Sequence, residues 1–318
     1  MLKETPKDAT IAITYKCNAR CEMCSIWQNK NQADLSLKSF DNLNKDLRYI
    51  NISGGEPFLR KDLLQIIKKI RENCPGANLI ISSNGFNSDL IARQAQEILK
   101  IYSGIGIRIS IDGVGKIHDE IRGVSGIYNQ AVDSLNKLKK IGVKNLGIGF
   151  TIMDKNVNEI KKVFDLAEDL DVQFSVSAVQ NSQIYFNKLN NRITFKKEIS
   201  DSLDYIIKKQ LKSWSIKKWL RAYYVYGLKF YLSTGKRLIK SGAGIDSLFI
   251  DAYGNVYPSN LIDKKIGNLS QKNLRDMWLL KNIESEESEP WTICTVRNSF
   301  RKYFLQIGFW IFVNKFLK

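Results

Sequence analysis

Short apolar runs alternate with longer segments of helical spacing over the first 180 residues of the chain. The apolar runs are rich in β-branched residues, which is typical of buried strands. The predicted strands are 10–15, 47–53, 77–83, 104–112, 145–152 and 172–179. The predicted helices are 36–46 with Ser36 as N-cap, 60–72, 87–100, 127–140 and 156–169. This alternation predicts six βα units with a parallel sheet, whose functional residues gather at the C-terminal ends of the strands.

The rest of the chain departs from this alternation. Residues 1–9 are polar and are predicted to form a loose tail. Residues 181–240 are predicted to be mostly helical, basic and aromatic, whereas 241–294 contain a predicted β-hairpin and an acidic linker at 284–290. Basic and aromatic residues together can mark nucleic-acid binding. Helical spacing of the aromatics favours core packing instead, and no nucleic-acid module is recognisable, so we do not expect a nucleic-acid partner.

The composition fits a globular protein with one large domain and an appendage. The chain has 318 residues, of which 44% are hydrophobic and 25% charged. Three of the five cysteines are clustered, which does not resemble a disulfide framework. Together with the lack of a signal-peptide pattern, this predicts a reducing, cytoplasmic location.

Positive charge is concentrated towards the C-terminal end. The net charge is +17, and residues 188–240 hold 14 Lys and Arg against three acids. Such asymmetry predicts an anionic partner, either a phosphorylated substrate or a membrane surface, although solvated lysine-rich helix faces are the alternative. The tail, residues 295–318, is aromatic and flanked by cations but too short to span a bilayer. It fits a helix lying in a membrane interface, or one that packs on the bottom of the barrel or on a dimer face.

The candidate chemistry begins with three cysteines directly after the first strand. Cys17, Cys21 and Cys24 follow a C-x3-C-x2-C spacing. This spacing is too tight for disulfides and one ligand short of a four-thiolate zinc site. Three thiolates suit a [4Fe–4S] cluster with one open iron. A zinc site completed by a distant ligand, or unrelated buried thiols, are the alternatives.

A second motif follows the second predicted strand. Residues 53–57 read Ser-Gly-Gly-Glu-Pro, in which two glycines allow a close backbone approach and Pro57 keeps Glu56 extended. With the cysteine loop after strand 1, this motif resembles the radical S-adenosylmethionine (SAM) superfamily. The resemblance implies a partial (βα)6 TIM-like barrel with a helical segment and a small C-terminal α+β extension. It implies one [4Fe–4S] cluster on the three cysteines, with SAM on the open iron.

The same resemblance implies further SAM-binding positions at the strand ends. The implied cofactor-binding residues are Gly54, Gly55, Glu56, Pro57, Ser82, Asn84, Ser110, Asp112 and Arg122. Asn156, Asn158, Val179 and Gln180 are weaker candidates for contacts with the adenosine. Asn84-Gly85 could equally be a simple turn. His118 is the only histidine, and we expect it to be structural rather than catalytic.

Residues 241–294 resemble the SPASM or twitch extension of the same superfamily. Both cysteines expected from that pattern are serines here, Ser241 and Ser259, and only Cys294 remains. Serine is a poor iron–sulfur ligand, so we predict a degenerate extension without an auxiliary cluster. The alternative is that the serines were introduced for structure determination. The predicted domains are therefore 1–180, 181–240, 241–294 and 295–318.

The resemblance implies an enzyme that cleaves SAM to a 5′-deoxyadenosyl radical, which abstracts a hydrogen atom from a substrate. Without a second cluster, C–C or C–X bond formation or rearrangement is expected. The charge and the tail suggest a lipid or another anionic, membrane-associated substrate and a peripheral position on the membrane. The alternatives are a ribosomal-peptide substrate and a non-catalytic protein that binds SAM or a cluster. A flavodoxin or ferredoxin would donate the electron.

Overall fold

The computed structural model describes residues 5–280 and 289–317, so most of the predicted acidic linker lies outside the described residues. The strands are β1 (Asp8–Thr14), β2 (Tyr49–Gly54), β3 (Asn78–Ser83), β4 (Gly106–Ser110), β5 (Asn145–Ile152), β6 (Gln173–Ala178), β7 (Ser247–Ile250), β8 (Asn255–Tyr257) and β9 (Gly267–Asn268). The helices are α1 (Leu63–Asn73), α2 (Ser88–Ile101), α3 (Lys116–Arg122), α4 (Ile127–Lys140), α5 (Ile160–Asp169), α6 (Lys197–Lys212), α7 (Ile216–Thr234), α8 (Leu274–Leu280), α9 (Ile293–Val296), α10 (Ser299–Lys302) and α11 (Phe304–Phe316).

The predicted α/β fold is confirmed. Strands β1 to β6 pair in parallel in chain order, and each is joined to the next by helical segments. Every residue of β1 is buried, and the helices present one apolar face to the sheet; in α1 this face is Leu63, Ile66, Ile67 and Ile70. The spacing of these four residues is the helical period that the sequence predicted.

Two local predictions at the N-terminal end are wrong. The helix predicted at 36–46 is only a 3-10 helix, Leu37–Asn42, and the Ser36 side chain makes no capping hydrogen bond. The predicted loose tail is ordered from Thr5, and β1 already begins at Asp8. Its start is fixed because the amides of Lys7 and Asp8 both donate to the Asp246 carbonyl, 2.8 and 2.9 Å away.

The C-terminal extension continues the main sheet. Strand β7 pairs in parallel with β1, and β8 and β9 follow as antiparallel strands, so the sheet order is β6-β5-β4-β3-β2-β1-β7-β8-β9. The predicted hairpin is confirmed, and Gly254 adopts a φ of 82° in its turn. The Gly244 amide donates to the Pro258 carbonyl at 3.1 Å, which joins the two segments that carry Ser241 and Ser259.

Helix α11 packs on α6 and α7. Helix α7 lies at the N-terminal ends of the strands, because its Arg221 donates to Gln173, the first residue of β6. The C-terminal end of α11 is fixed by Lys315, which donates to the carbonyls of Leu211 and Ser213 between α6 and α7. Just before its N-terminal end, Ser299 donates to the Lys240 carbonyl. One face of α11 is therefore packed on the protein, as one of the two alternatives for the tail predicted. No helix among the described residues is long and apolar enough to cross a membrane.

Candidate cofactor site

A cavity of about 330 Å³ opens at the C-terminal edge of the sheet. Its upper wall is the cysteine loop, and its sides are the ends of β2 to β6. Its inner surface carries small neutral polar side chains from successive strands, namely Thr10, Asn51, Ser53, Ser82, Ser110, Thr151 and Ser177. These residues all lie on the inward face because side chains alternate along a strand. The strand side of the cavity therefore carries hydroxyl and amide groups, whereas the cysteine loop and the segments after β6 add apolar side chains such as Trp27, Val179 and Phe186.

The cysteine loop is held in place by close backbone contacts with glycines. The Gly55 and Glu56 amides donate to the carbonyls of Thr14 and Lys16, both at 2.8 Å. A Cβ atom on Gly55 would overlap the Lys16 carbonyl oxygen, and one on Gly54, where φ is 121°, would overlap that of Thr14. The two glycines thus accommodate the chain at the start of the cysteine loop. From the sequence, we expected a bound ligand to approach these two glycines.

The opposite side of the loop packs on the end of α3. The Arg20 amide donates to the Arg122 carbonyl and the Glu22 amide to that of Ile121, both at 2.8 Å. Gly123 has a φ of 66°, and a side chain there would overlap the Arg20 carbonyl. Fixed on both sides, the loop presents its cysteines to the cavity in one conformation.

All three predicted ligands, Cys17, Cys21 and Cys24, line this cavity as free thiols. Burial raises the pKa of both Cys17 and Cys24 to about 12. Thiolates bind metals, so nearby positive charge or hydrogen-bond donors are needed to stabilise them. The Arg122 guanidinium lies 3.7 Å from the Cys21 sulfur, and the Asn84 amide nitrogen lies 3.9 Å from that of Cys17. Positively charged irons would supply what the buried thiols lack.

Glu56 is buried, and its carboxylate is engaged with the backbone. One oxygen accepts from the Phe58 amide at 3.1 Å and the other from the Asn84 amide at 2.7 Å. Burial raises the pKa of Glu56 to about 7, while these backbone hydrogen bonds act in the opposite direction. Glu56 therefore connects the turn after β2 to the turn after β3, and neither Glu56 nor Pro57 lines the cavity.

Asn84 connects the end of β3 to the cysteine loop. Its side-chain nitrogen donates to Asn18 at 2.7 Å, and its side-chain oxygen accepts from the Phe86 amide at 2.8 Å. The left-handed residue that follows, Gly85, has a φ of 77°. Asn84 is thus both a turn residue and part of the cavity wall, and its contact with SAM stays a prediction.

Arg122 and Asp112 form a buried ion pair at 2.6 Å. Burial alone would lower the pKa of Arg122, but the Asp112 carboxylate and Cys21 together outweigh it and hold that pKa above its ordinary value. Burial raises the pKa of Asp112, and Arg122 opposes this. Asp112 also accepts from the Thr151 amide at 2.7 Å. Arg122 lines the cavity, whereas Asp112 lies behind it.

Two polar residues near the site have structural contacts only. His118 accepts a hydrogen bond from the Asp112 amide at 3.0 Å, and burial, followed by the charge of Arg122, lowers its pKa to about 3. This agrees with the structural role expected for it. Asn156 bonds to the backbone of Met153, Asp112 and Thr151 and is fully buried. Asn156 therefore lies outside the cavity lining, and its predicted contact with adenosine stays a prediction that the lining does not support.

The structure gathers most of the other predicted residues. Besides the cysteines, the predicted residues that line the cavity are Gly54, Gly55, Ser82, Asn84, Ser110, Arg122, Val179 and Gln180. Asn158 is exposed and lies outside the lining. The roles of all these predicted residues towards SAM remain predictions.

Tyr185, Thr292 and Cys294 are among the cavity residues that the sequence reasoning missed. Tyr185 lies in the loop after β6, and its hydroxyl is 2.5 Å from that of Ser53. Its position after a strand was the signal that could have found it. Thr292 and Cys294 enter from the C-terminal segment, where Thr10 donates to the Cys294 sulfur at 3.4 Å. No local pattern marks these two, because more than 280 residues of chain separate them from Thr10.

The arrangement of the three thiols is compatible with a cluster. Within residues 5–280 and 289–317, no group of three or more His, Cys, Asp or Glu side chains is arranged to hold one metal ion. In a [4Fe–4S] cluster each thiolate binds a different iron, so the ligands need not converge on one point. A rigid loop, three thiols facing one cavity and donors beside two of the sulfurs suit such a cluster.

A partial (βα)6 barrel with three cysteines after its first strand defines a class of cluster-binding domains. Residues 11–167 match the family model of the Radical SAM superfamily, so this stretch is a radical SAM domain. Members of this superfamily bind SAM and a [4Fe–4S] cluster.

Two curated relatives show how far the similarity extends. The chain is 34% identical over 165 residues to Fe-coproporphyrin III synthase of Methanosarcina barkeri. The aligned region covers 49% of this chain and 40% of that protein. It is 25% identical over 305 residues to mycofactocin maturase MftC of Mycolicibacterium smegmatis, which covers 90% of this chain and 74% of that one. The chain spans about two fifths of the length of the first two curated relatives it matches, 40% and 41%.

Among solved structures, the chain is similar to anSMEcpe with bound AdoMet and a peptide. The TM-score is 0.62 at 14% identity, covering 96% of this chain and 99% of that chain. This likeness shows the fold, which extends through the C-terminal segments.

Proposed function

We propose that this protein is a radical SAM enzyme in which Cys17, Cys21 and Cys24 hold one [4Fe–4S] cluster. When bound, such a cluster reduces SAM, which then releases a 5′-deoxyadenosyl radical that abstracts a hydrogen atom from the substrate. The observation that carries the proposal is that three thiols on one rigid loop face the cavity at the C-terminal strand ends. A low-potential donor such as flavodoxin or ferredoxin would supply the electron.

The residues around the cavity orient the cofactor and shield the cluster. Arg122 and Asn84 place donors beside two of the sulfurs and stabilise their thiolate form. Glu56 fixes the Asn84 amide, and Asp112 balances the charge of Arg122. The strand-end hydroxyls of Ser82 and Ser110, with Gly54 and Gly55, are proposed to contact SAM.

We propose that the auxiliary cluster of the SPASM-like relatives is absent. Ser241 is buried; its hydroxyl donates to the Glu289 carboxylate and accepts from the Ala243 amide at 3.1 Å. Ser259 is also buried and accepts from the Leu261 amide at 3.2 Å. These contacts support a structural role for both serines, so the extension is proposed to serve as a wall of the cavity.

For the substrate, the lining favours a group without net charge, because it combines polar and apolar side chains. The cation within the described cavity wall, Arg122, is balanced by Asp112. The net charge of +17 nevertheless points to an anionic partner. We therefore propose that the substrate is an anionic, membrane-associated molecule, such as a lipid-linked one, whose polar part enters the cavity. Bond formation or rearrangement is proposed to follow hydrogen abstraction. A peptide substrate is the second candidate, favoured by the structural neighbour with a bound peptide.

Anaerobic reconstitution tests this proposal. The wild-type protein should take up about four irons per chain and, with dithionite and SAM, release 5′-deoxyadenosine. Cys24→Ala should lose both properties. Cys74→Ala is the matched control because Cys74 is a buried core thiol outside the cavity, whose sulfur donates to the Asn44 carbonyl at 3.3 Å, and this variant should keep both.

Each other outcome has a definite meaning. A cluster without 5′-deoxyadenosine would favour the non-catalytic alternative. About eight irons per chain would overturn the claim of a single cluster, and iron uptake by Cys24→Ala equal to the wild type would overturn the assignment of the ligands.

A further inference from the structure

An exposed apolar surface covers the N-terminal edge of the sheet. Helix α11 buries Ile307 and Ile311, and its Trp310 ring stacks on Tyr226 at 4.9 Å. The opposite side of α11 is exposed and meets the turn between α6 and α7, where the rings of Trp214 and Phe316 are 6.3 Å apart. We call this surface the aromatic face; its members are Phe304, Leu305, Phe309, Phe312, Phe316, Leu317, Trp214 and Ile216, which are 51–81% exposed.

The exposure of these side chains is systematic. Leu305, Phe309, Phe312 and Phe316 follow helical spacing, so they form one stripe on α11. Soluble proteins rarely leave large contiguous apolar surfaces exposed without a binding role. The 13 residues of α11 span about 20 Å, which is too short to cross a bilayer but suits a helix that lies in its interface.

Lys315 lies beside the aromatic face, 4.5 Å from the centre of the Trp214 ring. The segments that carry this face are rich in cations, among which Lys218, Arg297 and Lys302 pair with Glu168, Asp8 and Asp246. Residues 205–221 contain six Lys and Arg and no Asp or Glu, and 290–317 contain four and none. On the same edge, a basic pocket of about 460 Å³ is lined by Lys139, Lys144, Lys218 and Arg221, with Glu168 and Asp171 as its acids. The pKa of Lys217 is lowered to about 8, mainly by burial. The positive charges of Arg221 and Arg108 lower this pKa further.

We propose that the aromatic face docks on an anionic lipid surface, with the cavity turned away from the bilayer. An apolar stripe with Lys315 and cation-rich chain segments beside it matches the acyl boundary and the anionic head groups of such a surface. A second copy of this chain fits less well, because a symmetric contact would bring the cation-rich segments of both copies together.

The orientation restricts which substrates can reach the cavity, and this part of the inference rests on the proposed function. The cavity lies at the C-terminal ends of the strands, and the aromatic face lies at their N-terminal ends. Strands of six to eight residues are about 20–26 Å long. The reacting group of a membrane-associated substrate must therefore stand at least about 20 Å off the lipid surface, which favours an extended head group or a peptide over an acyl chain.

Flotation of the full-length protein with vesicles tests the docking without any activity measurement. The wild type should float with phosphatidylcholine vesicles containing 30% phosphatidylglycerol, and at least tenfold less with phosphatidylcholine alone. Phe309→Glu with Phe312→Glu should reduce flotation at least tenfold. Leu189→Glu is the matched control, because Leu189 is 63% exposed but lies elsewhere, and it should float like the wild type. Removal of the whole tail is unsuitable because it takes away Val296, which is fully buried, and Arg297, which pairs with Asp8.

Tryptophan quenching by brominated phosphatidylglycerol tests the orientation. Trp214 should account for the quenching, so Trp214→Phe should lose most of it, whereas Trp27→Phe at the cavity should not. The docking would be overturned if the wild-type protein failed to float or if the double variant floated fully. It would also be overturned if the wild type formed a dimer that the double variant, and not the control, abolished. Quenching lost in Trp27→Phe would overturn the orientation. Flotation without 5′-deoxyadenosine release would instead contradict only the proposed enzyme function.

Discussion

At the scale of single residues, buried charges hold the turns around the cavity. Glu56 and Asp112 follow β2 and β4, where the sequence predicted direct SAM contacts, yet both carboxylates bond to neighbouring loops. A sequence identifies such residues because charged groups at strand ends are conspicuous. It does not reveal which partner they choose, since that depends on side chains brought in by other units.

Replacing Glu56 by Gln should destabilise the protein. The amide can accept only one of the two backbone hydrogen bonds and turns an NH2 group towards the other donor, at a cost of about 1–3 kcal/mol. Urea unfolding would measure this loss. Glu97→Gln, on the exposed side of α2, should change stability by less than about 1 kcal/mol. Equal effects of the two substitutions would contradict the role given to Glu56.

Asp112→Asn should be more severe. It leaves the Arg122 guanidinium buried without its counter-charge, which costs about 3–5 kcal/mol. The free energy of unfolding should fall accordingly, while Glu120→Gln, which removes an exposed partner of Lys155, should cost at most about 1 kcal/mol. A small effect of Asp112→Asn would mean that Arg122 finds another anion.

At the scale of elements, the cysteine loop depends on its glycine neighbours. The Gly-Gly-Glu-Pro motif was recognisable in the sequence, and its position after β2 was correct. The reason why this motif needs its glycines could not be predicted, because the chain that approaches them comes from the loop after β1. Contacts between the ends of different strands follow from the register of the sheet, which sequence patterns do not specify.

Gly55→Ala should disturb the cysteine loop. The new methyl group would overlap the Lys16 carbonyl, so the loop must move and iron uptake after reconstitution should fall well below that of the wild type. Gly149→Ala is the control, since a Cβ atom there meets nothing within 4 Å. If both variants bind iron like the wild type, the close contact does not fix the loop.

At the scale of the whole molecule, the C-terminal segment extends the sheet beyond β1 and adds residues to the cavity wall. The alternation of βα units predicted the six parallel strands well, because strands buried on both faces have a distinctive composition. The docking of β7 against β1 and the entry of Cys294 into the cavity were beyond reach, because they join parts of the chain more than 230 residues apart. The ion pair between Arg297 and Asp8, at 3.1 Å, connects the same two regions.

Arg297→Met should destabilise the protein in a pH-dependent way. Burial raises the pKa of Asp8 to about 6, and Arg297 opposes that rise. A carboxyl whose folded-state pKa is raised favours folding at low pH and loses that contribution as the pH rises through the folded pKa. Without Arg297 the pKa of Asp8 rises further, so the loss of unfolding free energy should be larger at pH 8 than at pH 5. A loss that does not change with pH would contradict this coupling.

The central claim is that the three cysteines hold one cluster that leaves an iron open for SAM. Electron paramagnetic resonance of the reconstituted, dithionite-reduced protein tests it most directly. The spectrum should show one reduced [4Fe–4S] cluster, and adding SAM should change its g-values. A spectrum that SAM leaves unchanged, or a second cluster signal, would contradict the account.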